Sequence, residues 1–525
     1  MSGQLVSFDV IIRGGTVVDG TRAPAYQADV GVRKDRIAAI GDLGSATARI
    51  EIDAKHQVIA PGFIDVHNHS DGWLLRSAHL PAKTLQGFTT EVLMADGISY
   101  APVTRHNAPE WIYYLRSLNA LRISDYDGWT SLDDYMQRVD GTSVHNAAFH
   151  VPYANVRSVV CGFGPQPVDD YQMQRIQREI RLGMQAGAVG LSTGLDYIVQ
   201  CHSSTDELVR ACQALTEFQG LYVTHMRYKL GLLPAIREAA EICQRAQIPL
   251  HISHLKRVPP YTDDEIFSCL DTVQTTVDLS FDVYPYQASS TMLSFLLPYE
   301  VWKDGPLAAL GNLSKPETRR RCAEGAAANQ MRFDQIHVAW VLSRDNEHLI
   351  GLSLEQIASQ RGVAPHEVMF DLLLEENMAV LCVIHGQDDH ATVPFIQHDC
   401  AVIGTDGIYF PDGQVHPRMY GTTGRILGQF VREGHFPLED AIYKLTGFPA
   451  QRFGLANRGE VREQAFADLV VFDPDQMHDE ATLRQPHQPC VGVKHVLVNG
   501  HTIVTDGSPI QNFDTLPGRR INREH

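Results

Sequence analysis

Between Phe63 and Gly404, short apolar runs alternate with amphipathic helical stretches, and no other feature constrains the fold as strongly. The strand candidates are Phe63–His67, Thr89–Met94, Asn146–Val151, Ala188–Ser192, Leu221–Thr224, Pro249–Ser253, Leu279–Val283, Val380–Ile384 and Ala401–Gly404. Several are almost continuously apolar, as strands covered on both faces should be. Between them, Tyr171–Gln185 sets Met173, Ile176, Ile180 and Met184 on one helical face. Asp206–Phe218 and Leu233–Ala246 read the same way, and Ser353 with Gln356 forms a capping box. This alternation predicts a parallel β/α architecture, most simply a closed eight-stranded barrel over 63–455. Nine runs compete for eight places; Val380–Ile384 is the doubtful member, and about 290–346 reads as an insertion after the seventh strand.

Both ends of the chain have a different texture. Phe8–Arg13, Thr16–Gly20, Ala28–Val32 and Arg36–Ile40 are short strand-like runs broken by glycine. Ala467–Phe472 and Val493–Val504 resemble them, and Asn499-Gly500 is a hairpin signal. Because the ends of a domain tend to lie together, residues 1–62 and 456–525 are expected to form one small β-sandwich domain. The final stretch, Gly518 to His525, reads as a frayed tail.

In barrels of this kind, chemistry sits at the C-terminal ends of the strands. Reading only those ends, the first strand delivers His67 and His69, two residues apart and therefore on one face. The second ends near Asp96, the fifth at His225, the sixth at His254 and the last at Asp406. A single H-x-H among 24 histidines could arise by chance. Four histidines and two aspartates at strand ends point to a metal-centred site, since imidazole and carboxylate suit first-row divalent ions. His251 reads as a core histidine, and His79, His106, His145 and His202 as surface or loop residues.

Composition narrows the partners. With 44 basic and 62 acidic side chains, the net charge of −18 argues against a nucleic-acid surface or a polybasic membrane patch. No run of 18 apolar residues offers a membrane span, and nothing resembles a signal peptide. The nine cysteines lack any C-x-x-C spacing and read as reduced thiols of a cytoplasmic protein.

Together these segments resemble the amidohydrolase superfamily, within it the D-aminoacylase (N-acyl-D-amino-acid deacylase) branch. The resemblance rests on Pro61-Gly62-Phe63-Ile64-Asp65-Val66-His67-Asn68-His69, Gln86-Gly87-Phe88-Thr89-Thr90, Leu191–Tyr197, Thr224-His225-Met226-Arg227 and Ile252–Lys256. It continues through Asp282–Tyr286, Gly404-Thr405-Asp406-Gly407, His416-Pro417-Arg418 and Ala467–Val470. It implies a metal-dependent hydrolase barrel with a β-sandwich and an inserted segment over the site. It also implies that His67, His69 and Asp406 hold one metal position and His225 and His254 another, with one or two zinc ions bound. Where that branch commonly carries a cysteine after strand two, this chain has Asp96. A carboxylate is a harder ligand than a thiolate and can bridge two ions, so manganese(II) or iron(II) are alternatives. Strand four ends in Leu191-Ser192-Thr193-Gly194 without lysine, which removes the carbamylated-lysine bridge of hydantoinase-like branches.

The expected reaction is hydrolysis of a small amide bearing a carboxylate, with Asp406 as general base and then acid. Arg418, Lys256, Tyr284 and Ser290 are the expected substrate-binding residues. A cyclic amide or specialised metabolite on the same barrel is the second reading, given the departures in Ile198–His202. A metal-poor scaffold is the third, disfavoured because a scaffold needs none of these ligands.

Overall fold

The computed structural model describes residues 7–386 and 388–523. Eight parallel strands form the barrel: β1 (Phe63–Asp65), β2 (Phe88–Leu93), β3 (Asn146–Pro152), β4 (Gly190–Gly194), β5 (Leu221–His225), β6 (Leu250–Ile252), β7 (Leu279–Val283) and β8 (Ala401–Ile403). Each pairs with its sequence neighbour, and β7 pairs with β8 across the long excursion between them. Closure happens just past the strands, where the Asp406 N–H donates to the His67 carbonyl at 2.7 Å and the His69 N–H to Gly407 at 3.0 Å. The seam of the barrel therefore runs through residues expected to do chemistry.

The barrel interior is stacked. Phe453, at the end of the helix Gly447–Phe453, and Ile521 join Ile64, Val66, Val92, Ala148, Leu221, Val223 and Val402 in one buried cluster. His251 and His150 rest against the Phe453 ring, with centroids 5.1 and 5.9 Å away. His251 is thus a core histidine, as expected. His145, although in a loop, is fully buried. The amphipathic helix Asp170–Gln185 turns Met173, Ile176, Ile180 and Met184 inward, and Ser353 with Gln356 caps Leu354–Arg361.

Val380–Ile384 is not a barrel strand. It is the centre of a three-stranded antiparallel sheet with Ser289–Met292 and Ile336–Val341. Its apolar composition reflects burial within that separate sheet, and the excursion between β7 and β8 extends well beyond 346.

The terminal strands form a β-sandwich domain in which Leu469–Phe472 lies between Val58–Pro61 and Val493–Val498. Val10, Ile12, Val30, Val32, Ile52, Leu469, Val471 and Leu497 share its core. Asn499 and Gly500, both at positive φ, turn Val493–Val498 back onto His501–Thr505. The C-terminal stretch is docked rather than frayed. Ile521 donates to the Ala147 carbonyl at 2.8 Å, Arg523 to Gly187 at 3.0 Å, and Arg520 pairs with Asp133. A polar-looking sequence conceals one buried isoleucine flanked by arginines that satisfy backbone carbonyls; Glu524 and His525 lie outside the described residues. Among the described residues, no helix is long and apolar enough to cross a membrane.

Candidate metal centre

Six strand-end residues converge. Asp96 stands between two histidine pairs: its Oδ1 lies 3.6 Å from His67 Nε2 and 3.8 Å from His254 Nε2, and its Oδ2 lies 3.8 Å from His69 Nε2. Asp406 Oδ1 is 3.2 Å from His69 Nε2 and 3.7 Å from His67 Nε2. His225 Nδ1 and His254 Nε2 approach to 2.9 Å. Among the described residues, His67–His69–Asp96, His67–His254–Asp406 and Asp96–His225–His254 each bring ligand atoms within 4.8 Å of one another.

The backbone is bent to achieve this. Asp96, His254 and Asp406 all adopt left-handed conformations, with φ of 58°, 40° and 48°. Each such residue costs about 1–3 kcal/mol, a cost that clusters where geometry matters for function. Gly404 permits the closest approach: a Cβ there would stand 2.8 Å from that of His67 and 3.0 Å from Asp282 Oδ1.

The electrostatics call for a cation. Burial opposes charging His67, yet Asp282, Asp96 and Asp406 outweigh it and push its pKa up to about 10. Burial likewise opposes ionising Asp406, but Arg418, His69 and His67 hold its carboxyl well below the usual range. Burial, then the neighbouring His225, lowers His254 to about 3. His67 Nε2 and Asp96 Oδ1 are buried with no hydrogen-bond partner. Unpartnered nitrogen and oxygen atoms meeting at one point fit a divalent ion.

A supporting chain sets the protons. Arg452 Nε donates to Ser280 Oγ at 2.6 Å, so the Ser280 hydroxyl can give its hydrogen to His251 Nδ1 at 2.7 Å. That leaves His251 Nε2–H to donate to Asp282 Oδ2 at 3.1 Å. Asp282 Oδ2 also faces His67 Nδ1 at 3.4 Å, which fixes a proton on Nδ1 and directs Nε2 towards the centre, where a bound ion would replace its second proton. Asn119 Oδ1 approaches His69 Nδ1 at 3.2 Å, and Asp196 Oδ2 lies 3.5 Å from His225 Nε2. The Tyr299 hydroxyl, from the excursion, donates to Asp196.

The expected substrate-binding residues gather on one side. Arg418 Nη1 lies 2.8 Å from Asp406 Oδ2, and Nη2 donates to the Ser290 carbonyl at 3.2 Å. The guanidinium sits over the Tyr284 ring, 4.5 Å from its centroid, with Nε unpartnered. Lys256 Nζ donates to the Tyr284 hydroxyl at 3.0 Å. The Ser290 hydroxyl turns away, donating to the Cys382 carbonyl at 2.9 Å.

Asp282, Asp196 and Asn119 were not assigned roles from the sequence. Asp282 lies in β7, and its place one residue before that strand's end is the signal that points to it. Asn119 follows the helix Ala108–Leu115 and carries no local signal.

A closed β/α barrel with imidazoles and carboxylates converging at its strand ends defines a metal-dependent hydrolase barrel. Residues 51–339 match the amidohydrolase family. D-aminoacylase of Alcaligenes xylosoxydans xylosoxydans is 33% identical, covering 98% of this chain and 97% of that protein. The N-acyl-D-glutamate deacylase of Bordetella bronchiseptica, solved with zinc and a phosphonate mimic of the tetrahedral intermediate, superposes with a TM-score of 0.83 at 30% identity, covering 98% and 100% of the two chains. A D-aminoacylase structure describing a binuclear metal centre, with one-metal activation and second-metal attenuation, gives a TM-score of 0.80 at 32% identity, with the same coverage. The chain belongs to the amidohydrolase family and is a metal-dependent hydrolase.

Proposed function

We propose that this protein removes the acyl group from N-acyl-D-amino acids by hydrolysing their linear amide bond. The observation that carries this is Arg418, a buried guanidinium directed at Asp406 with an unpartnered nitrogen, beside Tyr284 and Lys256. A carboxylate on the substrate would find its cation within reach of the reacting bond. The relatives named above act on N-acyl-D-amino acids by their names, which supports the same substrate class here.

In this reading His67, His69 and Asp406 hold one ion position, His225 and His254 the other, with Asp96 reaching both. A zinc ion bound there would polarise the amide carbonyl and lower the pKa of a water to about 7. Asp406 accepts the water's proton on Oδ1 and delivers it to the departing nitrogen, while Arg418 steadies Oδ2 and keeps the carboxyl ionised until then. Phe295 and Tyr197 meet the His225 ring edge-on, with centroids at 5.7 and 5.0 Å, and cover that side of the site. The nine cysteines are free, in keeping with a cytoplasmic protein. The division into 63–455 and 1–62 with 456–525 serves as the working domain assignment, with Gly518, Ile521 and Arg523 packing back onto the barrel.

Turnover of a panel of N-acetyl-D-amino acids, their L-enantiomers and cyclic amides, with metal content measured alongside, tests the reading. Release of D-amino acids is expected. Exclusive turnover of cyclic amides would replace it with the cyclic-amide reading, and a metal-free, inactive protein would leave a scaffold.

A further inference from the structure

A second set of ligating side chains stands on the surface, where the excursion returns to the barrel. His390 lies in the short 3-10 turn Asp389–Thr392, just before β8. Glu433 and His435 follow the π-helical stretch Gly424–Phe430. His390 Nε2 is 3.2 Å from Glu433 Oε2, and His435 Nε2 is 3.1 Å from the same oxygen. An ion about 2.0–2.1 Å from each of its donors at tetrahedral angles places those donors about 3.3 Å apart. The ligand atoms of all three residues lie within 4.8 Å of one another.

The arrangement is braced rather than incidental. Gly434 at φ +78° reverses the chain so that His435 falls back beside Glu433. The His435 carbonyl accepts from Gln397 Nε2 at 2.8 Å, and Gln429 Nε2 donates to Glu433 Oε1 at 3.0 Å, leaving Oε2 for the two imidazoles. Both rings stand against Phe430, each with a centroid separation of 5.7 Å. The side chains of His390, Glu433 and His435 are 53%, 39% and 31% exposed, so an aqueous ion can reach them.

We propose that His390, Glu433 and His435 bind a borderline first-row divalent ion such as Zn2+, Ni2+ or Cu2+, separately from the buried centre. Two imidazoles exclude Mg2+ and Ca2+ as the fitting class. Three protein ligands leave a position for water, so the ion is held less tightly than at a closed four-ligand site. Its structural consequence is a clip between the returning end of the excursion and the helix terminus. Asp389, adjacent to His390, pairs with Arg425 and accepts the Gln287 N–H at 2.8 Å, while the Gln287 carbonyl accepts from Lys256 Nζ at 3.0 Å. The clip thereby braces the rim that carries Lys256. The inference does not depend on the proposed substrate.

Zn2+ titration of the protein whose buried centre is already loaded tests it, comparing the native chain with H390N/H435N and with E433Q. The native chain is expected to take up one more ion than H390N/H435N, and E433Q to bind it about tenfold more weakly. The extra ion should raise the melting temperature of the native chain and not that of H390N/H435N. Identical stoichiometry and affinity in native and variant chains would overturn the proposal. If the double variant does not fold, E433Q decides alone, and an unchanged Kd there would overturn it equally.

Discussion

Arg418 and Asp406 form a buried ion pair, guanidinium Nη1 to carboxylate Oδ2 at 2.8 Å, while the other carboxylate oxygen faces His67 and His69. One aspartate is thus divided between a cation that keeps it ionised and two imidazoles of the candidate metal centre. Held this way, the carboxylate is ionised at neutral pH, the form its proposed role requires, although the same pairing with Arg418 weakens it as a proton acceptor.

Replacing the proposed base should remove chemistry and spare binding. In Asp406→Asn, kcat is expected to fall about 10²–10⁴-fold, with KM changed only a few-fold. Steady-state kinetics on an N-acyl-D-amino acid, at matched metal content, measures the split. Native kcat in this variant would remove Asp406 from its role.

Arg418→Ala carries two expectations. KM for a carboxylate-bearing substrate should rise about tenfold or more, roughly 1.4 kcal/mol. Arg418 also depresses the Asp406 pKa, so its loss raises that pKa and moves the acid limb of the pH–rate profile to higher pH. An unmoved limb with unchanged KM would leave Arg418 a structural residue only.

Asp96 touches both histidine pairs, so its removal should affect metal count before anything else. Asp96→Ala is expected to bind one fewer zinc ion than the native chain when zinc is in excess, read by elemental analysis after dialysis. An unchanged count at native affinity would show that Asp96 ligates no ion.

Glu91 in β2 is wholly buried, with its nearest imidazole, His145, 3.7 Å away, and burial pushes its pKa up from 4.5 to about 7. A carboxyl whose folded pKa is raised contributes stability that is full below the unfolded value and lost as pH rises through the folded one. Between about pH 4.5 and 7 this group should cost stability by up to about 3 kcal/mol. Denaturant melts of Glu91→Gln should show a flatter pH dependence across that window; an unchanged slope would assign the effect elsewhere.

What could be read from the sequence tracks how locally each feature is encoded. Strand-end histidines follow apolar runs directly, and all six expected metal-site residues converge in space. Val380–Ile384 has the composition of a barrel strand, because burial in any sheet selects the same residues; only pairing reveals its antiparallel neighbours. Asn119 reaches His69 from a loop fifty positions away, a relation that no spacing records. The docked C-terminus misleads for a similar reason, since one isoleucine among arginines carries no periodicity.

The β-sandwich places Leu469–Phe472 between Val58–Pro61 and Val493–Val498. During synthesis the first of these strands emerges early, and its partner arrives only after the whole barrel has been made. Until then the nascent chain displays an open strand edge and half a core, the kind of surface that seeks other chains. The order of translation therefore sets a waiting period that the finished fold conceals. A barrel that forms quickly shortens the time over which those early strands must remain unpaired.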